Sequence, residues 1–192
     1  MVTLEPLRAD HADALLAFER ANRAYFARTV PDRGDAFFTP AGFAARLGAL
    51  LDEQHARVCR FHVVLGEDGE LIGRVNLMDL ADGSAELGYR VGEQAAGRGV
   101  ATAAVAQVCR LAATDYGLTS LTARTTLGNP ASIRVLTRNG FTWAENTTVG
   151  GQPGVRYVLR SLDAAPDSPL VLRRPGRCST SGDAPGPAKS RS

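Results

Sequence analysis

Two glycines two positions apart, Gly97 and Gly99, stand between an apolar alternating run and a long helical run in the stretch Ala85 to Ala113. The turn reads Gln94-Ala95-Ala96-Gly97-Arg98-Gly99. Glycine admits backbone conformations closed to other residues, so successive N–H groups here can point into one concavity. A helix predicted to open at Val100 adds the unsatisfied first-turn donors of Val100, Ala101 and Thr102 and the positive end of its dipole. Such a place binds phosphate or pyrophosphate, and the turn therefore predicts a phosphorylated cofactor. A dinucleotide fingerprint is excluded, because the position of its third glycine holds Thr102 and the turn lies mid-chain behind meander strands. No Lys-Ser/Thr pair follows, which excludes a nucleoside-triphosphate loop.

The elements that must hold this turn can be read in order. Val2 to Leu7 predicts a first strand, and Asp10 stands where the cap of a first helix would be, ahead of an apolar stripe at Leu15, Phe18, Tyr25 and Phe26. Thr39 and Pro40 form a cap and first-position pair for a second helix running to His55. Arg57 to Leu65, Glu70 to Leu80 and Ser84 to Val91 alternate as a three-strand meander with turns at Gly66–Gly69 and Asp82–Gly83. After the glycine turn and a helix to Tyr116 come a fifth strand from Leu118 to Leu127, a short helix opened by Asn129-Pro130 and closed by Gly140, and a final hairpin across Gly150 to Gly154. Cys109 and Trp143 are expected in the core.

At 192 residues and 44% hydrophobic composition, the chain suits one ordinary domain. We expect the ordered domain over residues 1–162 and a disordered tail over 163–192, where Pro, Gly and Ser dominate and hydrophobic periodicity fades. The net charge is only +2, with acids and bases balanced through the body, so bulk charge argues neither for nucleic acid nor for an anionic membrane as partner. The three cysteines and three histidines show no metal-ligand spacing, so no metal is expected. No apolar run is long enough to span a bilayer and no leader pattern opens the sequence, which predicts a cytoplasmic protein.

The segment Gln94-x-x-Gly97-x-Gly99-Val-Ala101 resembles the pyrophosphate loop of the GNAT superfamily of acyl-CoA-dependent N-acetyltransferases. A second landmark, Asn129-Pro-Ala-Ser132 continuing to Asn139-Gly140-Phe141, resembles the branch that acetylates ribosomal-protein N-termini, the Rim type. Ala85-Glu86-Leu87-Gly88-Tyr89 matches the same branch, and the likeness covers roughly Leu4 to Leu162. It implies an α/β fold with a mostly antiparallel, splayed sheet of about seven strands and helices on both faces. It also implies acetyl-CoA as the acyl donor. In that pattern the amides of Gly97 to Thr102, with Gln94 and Arg98 beside them, bind the pyrophosphate. The edge of the fourth strand, Leu87, Gly88, Tyr89, Arg90 and Val91, pairs with the pantetheine arm as an added strand would.

The resemblance likewise assigns roles. Asn129 would contact the pantetheine arm. Many family members place a proton-donating Tyr four residues before the closing Gly, and this chain has Leu136 there; Ser132, earlier in the same helix, is then the expected acid toward the leaving thiolate. Glu86, on the strand face shared with Gly88 and Arg90, is the expected base, its alternative being an Arg-paired carboxylate. Asn22, Tyr25, Phe26, Phe37 and Phe38 on the helix side and Tyr157 on the hairpin are expected to line the acceptor site. The expected reaction is direct acetyl transfer to a primary amine, favouring the N-terminal α-amine of a protein or peptide. The alternatives are a small amine such as an antibiotic, a polyamine or an amino acid, or a non-catalytic acyl-CoA-binding module. The sequence leaves monomer and homodimer equally open.

Overall fold

The computed structural model describes residues 2–162, so the expected tail at 163–192 lies outside the described residues. In chain order the elements are β1 (Thr3–Pro6), α1 (Ala12–Ala21), α2 (Arg23–Phe26), α3 (Pro40–His55), β2 (Arg60–Leu65), β3 (Leu71–Ala81), β4 (Ser84–Val91), α4 (Val100–Thr114), β5 (Ser120–Thr126), α5 (Pro130–Arg138), β6 (Thr142–Val149) and β7 (Gln152–Arg160). Short 3₁₀ turns occupy Ala9–His11, Asp35–Phe38 and Glu93–Ala95.

The strands form one open seven-stranded sheet in the order β1-β2-β3-β4-β5-β7-β6. Every neighbouring pair is antiparallel except β4 and β5. A parallel pair needs a crossover, and α4 supplies it. Alternation in the strands divides the core into two layers. Val64, Val75, Leu77, Ala85, Leu87, Leu121 and Ala123 face α4 and α5, packing on Val105, Val108, Cys109 and Leu136. On the other face Phe61 and Val63 pack on Leu15 and Phe18 of α1 and on Phe43, Leu47 and Leu50 of α3.

Local chemistry accounts for the boundaries. The Thr39 hydroxyl accepts the Gly42 N–H at 3.0 Å with Pro40 behind it, which starts α3. Asp82 and Gly83, at φ 49° and 72°, make the two-residue turn between β3 and β4.

Four expectations need correction. Asp10 does not cap α1; it lies inside the Ala9–His11 turn with its carboxylate on Arg8 at 3.0 Å, and α1 begins one turn later without a side-chain cap. The first helix also breaks at Asn22 rather than running through to Phe26. The last hairpin turns on Gly150 and Gly151 alone, and β7 already begins at Gln152. Trp143 is not in the core: it is 58% exposed, because no helix covers the outer strand β6.

Candidate active site

The parallel pairing of β4 with β5 runs from Ser84↔Ser120 to Leu87↔Ala123 and then stops. Both strands continue, β4 to Val91 and β5 to Thr126, each held on its outer side by β3 and β7. The sheet therefore opens into a V beyond Leu87. Along that opening, Gly88 to Val91 present a strand edge that pairs with no β5 residue, an edge that an extended chain could join.

The glycine turn lies just past the end of β4. Gly97 has φ 74° and Gly99 φ 79°, a region that side chains with a Cβ rarely enter. A Cβ built on either would meet nothing within 4 Å, so both glycines border open space. Gly99 is the cap of α4, and Ala103 N–H donates to its carbonyl at 3.0 Å. The N–H groups of Val100, Ala101 and Thr102 precede that first helical bond and are left for a ligand. Gln94 and Arg98 are exposed beside them. These features fit a pyrophosphate. Asn139 ties the two landmark segments together, its Nδ2 donating to the Thr102 carbonyl at 3.3 Å and to the Val135 carbonyl at 2.8 Å.

Across the V, Asn129 Oδ1 accepts the Ser132 N–H at 3.1 Å and so caps α5. Its Nδ2 has no partner among the described residues, which leaves a donor for a cosubstrate amide. The Ser132 hydroxyl meets the Tyr89 hydroxyl at 2.9 Å, and Tyr89 also donates to the Ser132 carbonyl at 3.3 Å. Tyr89 was expected only to offer its backbone; the structure adds its phenol, which joins the unpaired end of β4 to α5. Burial pushes the phenol's pKa up, against a smaller downward pull from the Ser132 bond, so it stays protonated at neutral pH. Leu136 is fully buried in the core beside Phe141 and offers no chemistry.

Glu86 is the next-to-last residue of β4 paired with β5, on the face opposite Tyr89. Arg124 of β5 grips both its oxygens, Nε to Oε1 at 3.1 Å and Nη2 to Oε2 at 2.8 Å. This is the Arg-paired alternative foreseen for Glu86. A carboxylate has about four lone-pair sites, so two remain for water or substrate.

On the same face, further along β4, the expected acceptor residues resolve into a different pattern. Tyr25, Phe26, Phe37 and Phe38 each lie beneath a guanidinium: Arg28 at 5.6 Å, Arg90 at 4.8 Å, Arg33 at 4.6 Å and Arg23 at 4.3 Å from the ring centres. Phe26, Phe38, Arg23, Arg33 and Arg90 line one shallow recess with Glu19 and Asp32. The β6–β7 turn closes its edge, where a Cβ on Gly150 would lie 3.2 Å from Pro31 Cγ. Asn22 braces the loop after β4, accepting the Glu93 N–H at 2.8 Å while Nδ2 donates to the Phe18 carbonyl at 2.9 Å. Tyr157 is not in the recess; it is buried on the α4–α5 face of the sheet.

Sequence reasoning missed Glu19. Its carboxylate is 1% exposed and sits between Arg74 Nε at 3.3 Å and Arg90 Nη1 at 3.3 Å. Arg74 and Arg90 are direct cross-strand partners in β3 and β4, a repulsive pairing that Glu19 offsets. An acid four residues after Leu15, on the apolar stripe of α1, was the available signal. His62 is buried with Nε2 sharing a 2.7 Å hydrogen bond with the Tyr116 hydroxyl, and burial lowers its pKa to about 4. Among the described residues no cluster of three metal-ligating side chains occurs, and no helix is long and apolar enough to cross a membrane.

Strand order, the V between β4 and β5, and the glycine-started helix at its mouth define an α/β fold of the GNAT type. The chain belongs to the acetyltransferase (GNAT) domain family, which matches residues 1–142, and it is therefore an acetyltransferase. Among solved structures it is similar to the ribosomal-protein-S5-alanine acetyltransferase of Vibrio fischeri, at 20% identity and TM-score 0.78 over 86% of this chain and 96% of that one. It is also similar to Mycobacterium smegmatis RimJ in complex with CoA-disulfide, at 22% identity and TM-score 0.77 over 85% and 83%. The spermidine N-acetyltransferase of Vibrio cholerae, in complex with CoA and spermine, matches at 18% identity and TM-score 0.68 over 83% and 95%. No protein of curated function matches by sequence.

Proposed function

We propose that this acetyltransferase moves an acetyl group from acetyl-CoA directly to the N-terminal α-amine of a protein or peptide. The observation that carries the reading is the V beyond Leu87, with a phosphate cradle on one flank and an arginine-lined recess on the opposite face. The Rim-type likenesses support the peptide acceptor, and the solved RimJ complex supports coenzyme A as the donor's carrier. Family membership speaks for an enzyme over a non-catalytic binding module.

In this reading acetyl-CoA supplies an activated acyl thioester. The amides of Gly97 to Thr102 hold its pyrophosphate, and Leu87 to Val91 pair with its pantetheine arm. Their strand-edge N–H groups can also stabilise charge on the reacting carbonyl. Glu86, clamped by Arg124, accepts the amine's proton through water at its free lone pairs. Tyr89 and Ser132 hold a transferable proton at the mouth of the V, with Ser132 the donor nearest the cleft and Tyr89 fixing its hydroxyl. Among the described residues both cysteines are buried and no Ser–His arrangement fits a covalent acyl-enzyme. The small-amine reading remains the rival, through the spermidine enzyme's likeness.

Thiol release from acetyl-CoA, measured with free and N-terminally blocked peptides and with spermidine, tests the acceptor. Intact mass should show one acetyl group on the α-amine of free peptides and none on blocked ones. Turnover with spermidine but with no peptide overturns the peptide reading. Ser132→Ala should lower kcat about tenfold with KM for acetyl-CoA nearly unchanged, as expected for a modest proton-transfer contribution. Tyr89→Phe in the Ser132→Ala background should add little, since the two hydroxyls act as one unit.

A further inference from the structure

The recess on the α1 face is built for an anion. Two carboxylates line it: Asp32 at the rim is taken by Arg23, and buried Glu19 has Arg74 and Arg90 within ion-pair distance of its two oxygens. Arg90 uses Nη1 for that contact, and its other N–H groups are free of hydrogen bonds among the described residues. Arg33 lines the same recess, stacked on Phe37 at 4.6 Å, and makes no hydrogen bond or ion pair with any described residue. Its sequence neighbour Asp32 is engaged by Arg23 at 2.6 Å, and Asp35 closes that rim triad at 2.8 Å from the solvent side. Burial depresses the Arg33 guanidinium's pKa, with Glu19 pulling it back up. Three inner guanidiniums thus face one inner carboxylate, and a partly buried cation without a counter-ion is costly. Nε of Arg74 and Oε1 of Glu19, though within ion-pair distance, lack hydrogen-bond geometry, so the inner cluster is not closed on itself.

Position along β4 says how far this anion site lies from the reacting centre. The V opens after Leu87, so the amine arrives beside Gly88, and Arg90 is the next residue on that face. Two strand residues span about 6.6 Å. This is the offset of the two Cα positions along the strand. It matches the amine of an extended peptide and a side-chain carboxylate one residue further on, at about 3.5 Å per residue plus the side chain's reach.

We infer that the acceptor carries an acidic side chain next to its reacting N-terminal amine, held by Arg33 and Arg90. The enzyme then selects acidic N-termini and rejects polyamines, whose second cation would face the same guanidiniums. This rests on the acceptor side proposed above.

Calorimetric titration of peptides onto the protein saturated with coenzyme A reads the preference without requiring turnover. The probes are Ser-Asp-, Ser-Asn- and Ser-Lys-initiated peptides of otherwise identical sequence, and spermidine. The Asp peptide should bind about tenfold tighter than the Asn peptide, the ordinary effect of one charge-assisted contact. In Arg33→Gln that ratio should fall below about twofold, and Arg33→Glu should reverse the order of Asp and Lys peptides. Arg33→Lys should retain part of the ratio. Equal binding of Asp and Asn peptides, tighter binding of the Lys peptide or spermidine by the unaltered protein, or an unchanged ratio in Arg33→Gln overturns the inference. Selective binding of the Asp peptide without thiol release would count against peptide acetylation alone and leave the anion site standing.

Discussion

Replacing Glu19 by Ala should lower the unfolding free energy by about 3 to 5 kcal/mol, the usual cost of breaking a buried ion pair from one side. The variant leaves Arg74 and Arg90 face to face across β3 and β4 with no anion between them. It also opens space between α1 and the sheet next to Phe18 and Phe26. Helix propensity offers almost no compensation, since Ala gains only tenths of a kcal/mol over Glu. Against a total stability of about 5 to 15 kcal/mol for a domain, this is a large share. Urea unfolding monitored by circular dichroism gives the midpoint. Glu19→Gln, which keeps the volume and loses the charge, separates the electrostatic part. If Glu19→Gln unfolds at the same urea concentration as the unaltered chain, the cluster contributes nothing and its structural role is lost.

Gly99→Val should weaken acetyl-CoA binding by about 100-fold, the equivalent of about 2.7 kcal/mol. Two effects act together. At φ 79° a β-branched residue is strained, so the turn shifts and the N–H groups of Val100 to Thr102 are no longer aimed into one cradle. The new side chain would also fill space that the fold leaves open, because nothing of the protein lies within 4 Å of a Cβ there. Beyond that backbone strain no packed neighbour opposes the new Cβ, and the lost affinity reports on the ligand's own volume and on the backbone. Isothermal titration gives the dissociation constant. A value within about threefold of the parent's would remove the glycine turn from the cosubstrate site.

How far the sequence carried depended on the range of the interaction. The glycine turn, the start of α4 at Val100, Thr39 capping α3 and Asn129 capping α5 were all legible, since each depends on residues within a few positions. Strand β4 was legible to its ends, because alternation between Ala85, Leu87 and Tyr89 and the Asp82–Gly83 turn bound it on one side. The Glu19–Arg90 contact spans 71 positions and the Tyr89–Ser132 contact 43, and no local pattern encodes which residues such distances bring together. The aromatic residues Phe26, Phe37 and Phe38 were placed near the acceptor side, yet their partners were arginines that a count of hydrophobic periodicity cannot see. Trp143 went astray for a physical reason. On an outer hairpin, which residues end up buried is set by what docks on them, and Trp143 lies on β6, the last strand of the sheet, while its cross-strand partner Tyr157 one strand further in is buried.

The sheet's early parting has a mechanical consequence. Strands β1 to β4 and strands β5, β7 and β6 meet through only the four register positions from Ser84 to Leu87, with α4 and α5 laid across the joint. A cosubstrate arm paired along Gly88 to Val91 would act as a brace between two half-sheets, making the molecule stiffest when it is loaded. Hydrogen exchange should then slow on binding at the amides of Gly88 to Val91, and also at Arg124 to Thr126 on the opposite limb. The enzyme would thus read its own loading state as rigidity, and an acceptor arriving at the α1 face would meet a firm wall only when the cosubstrate's arm is in place.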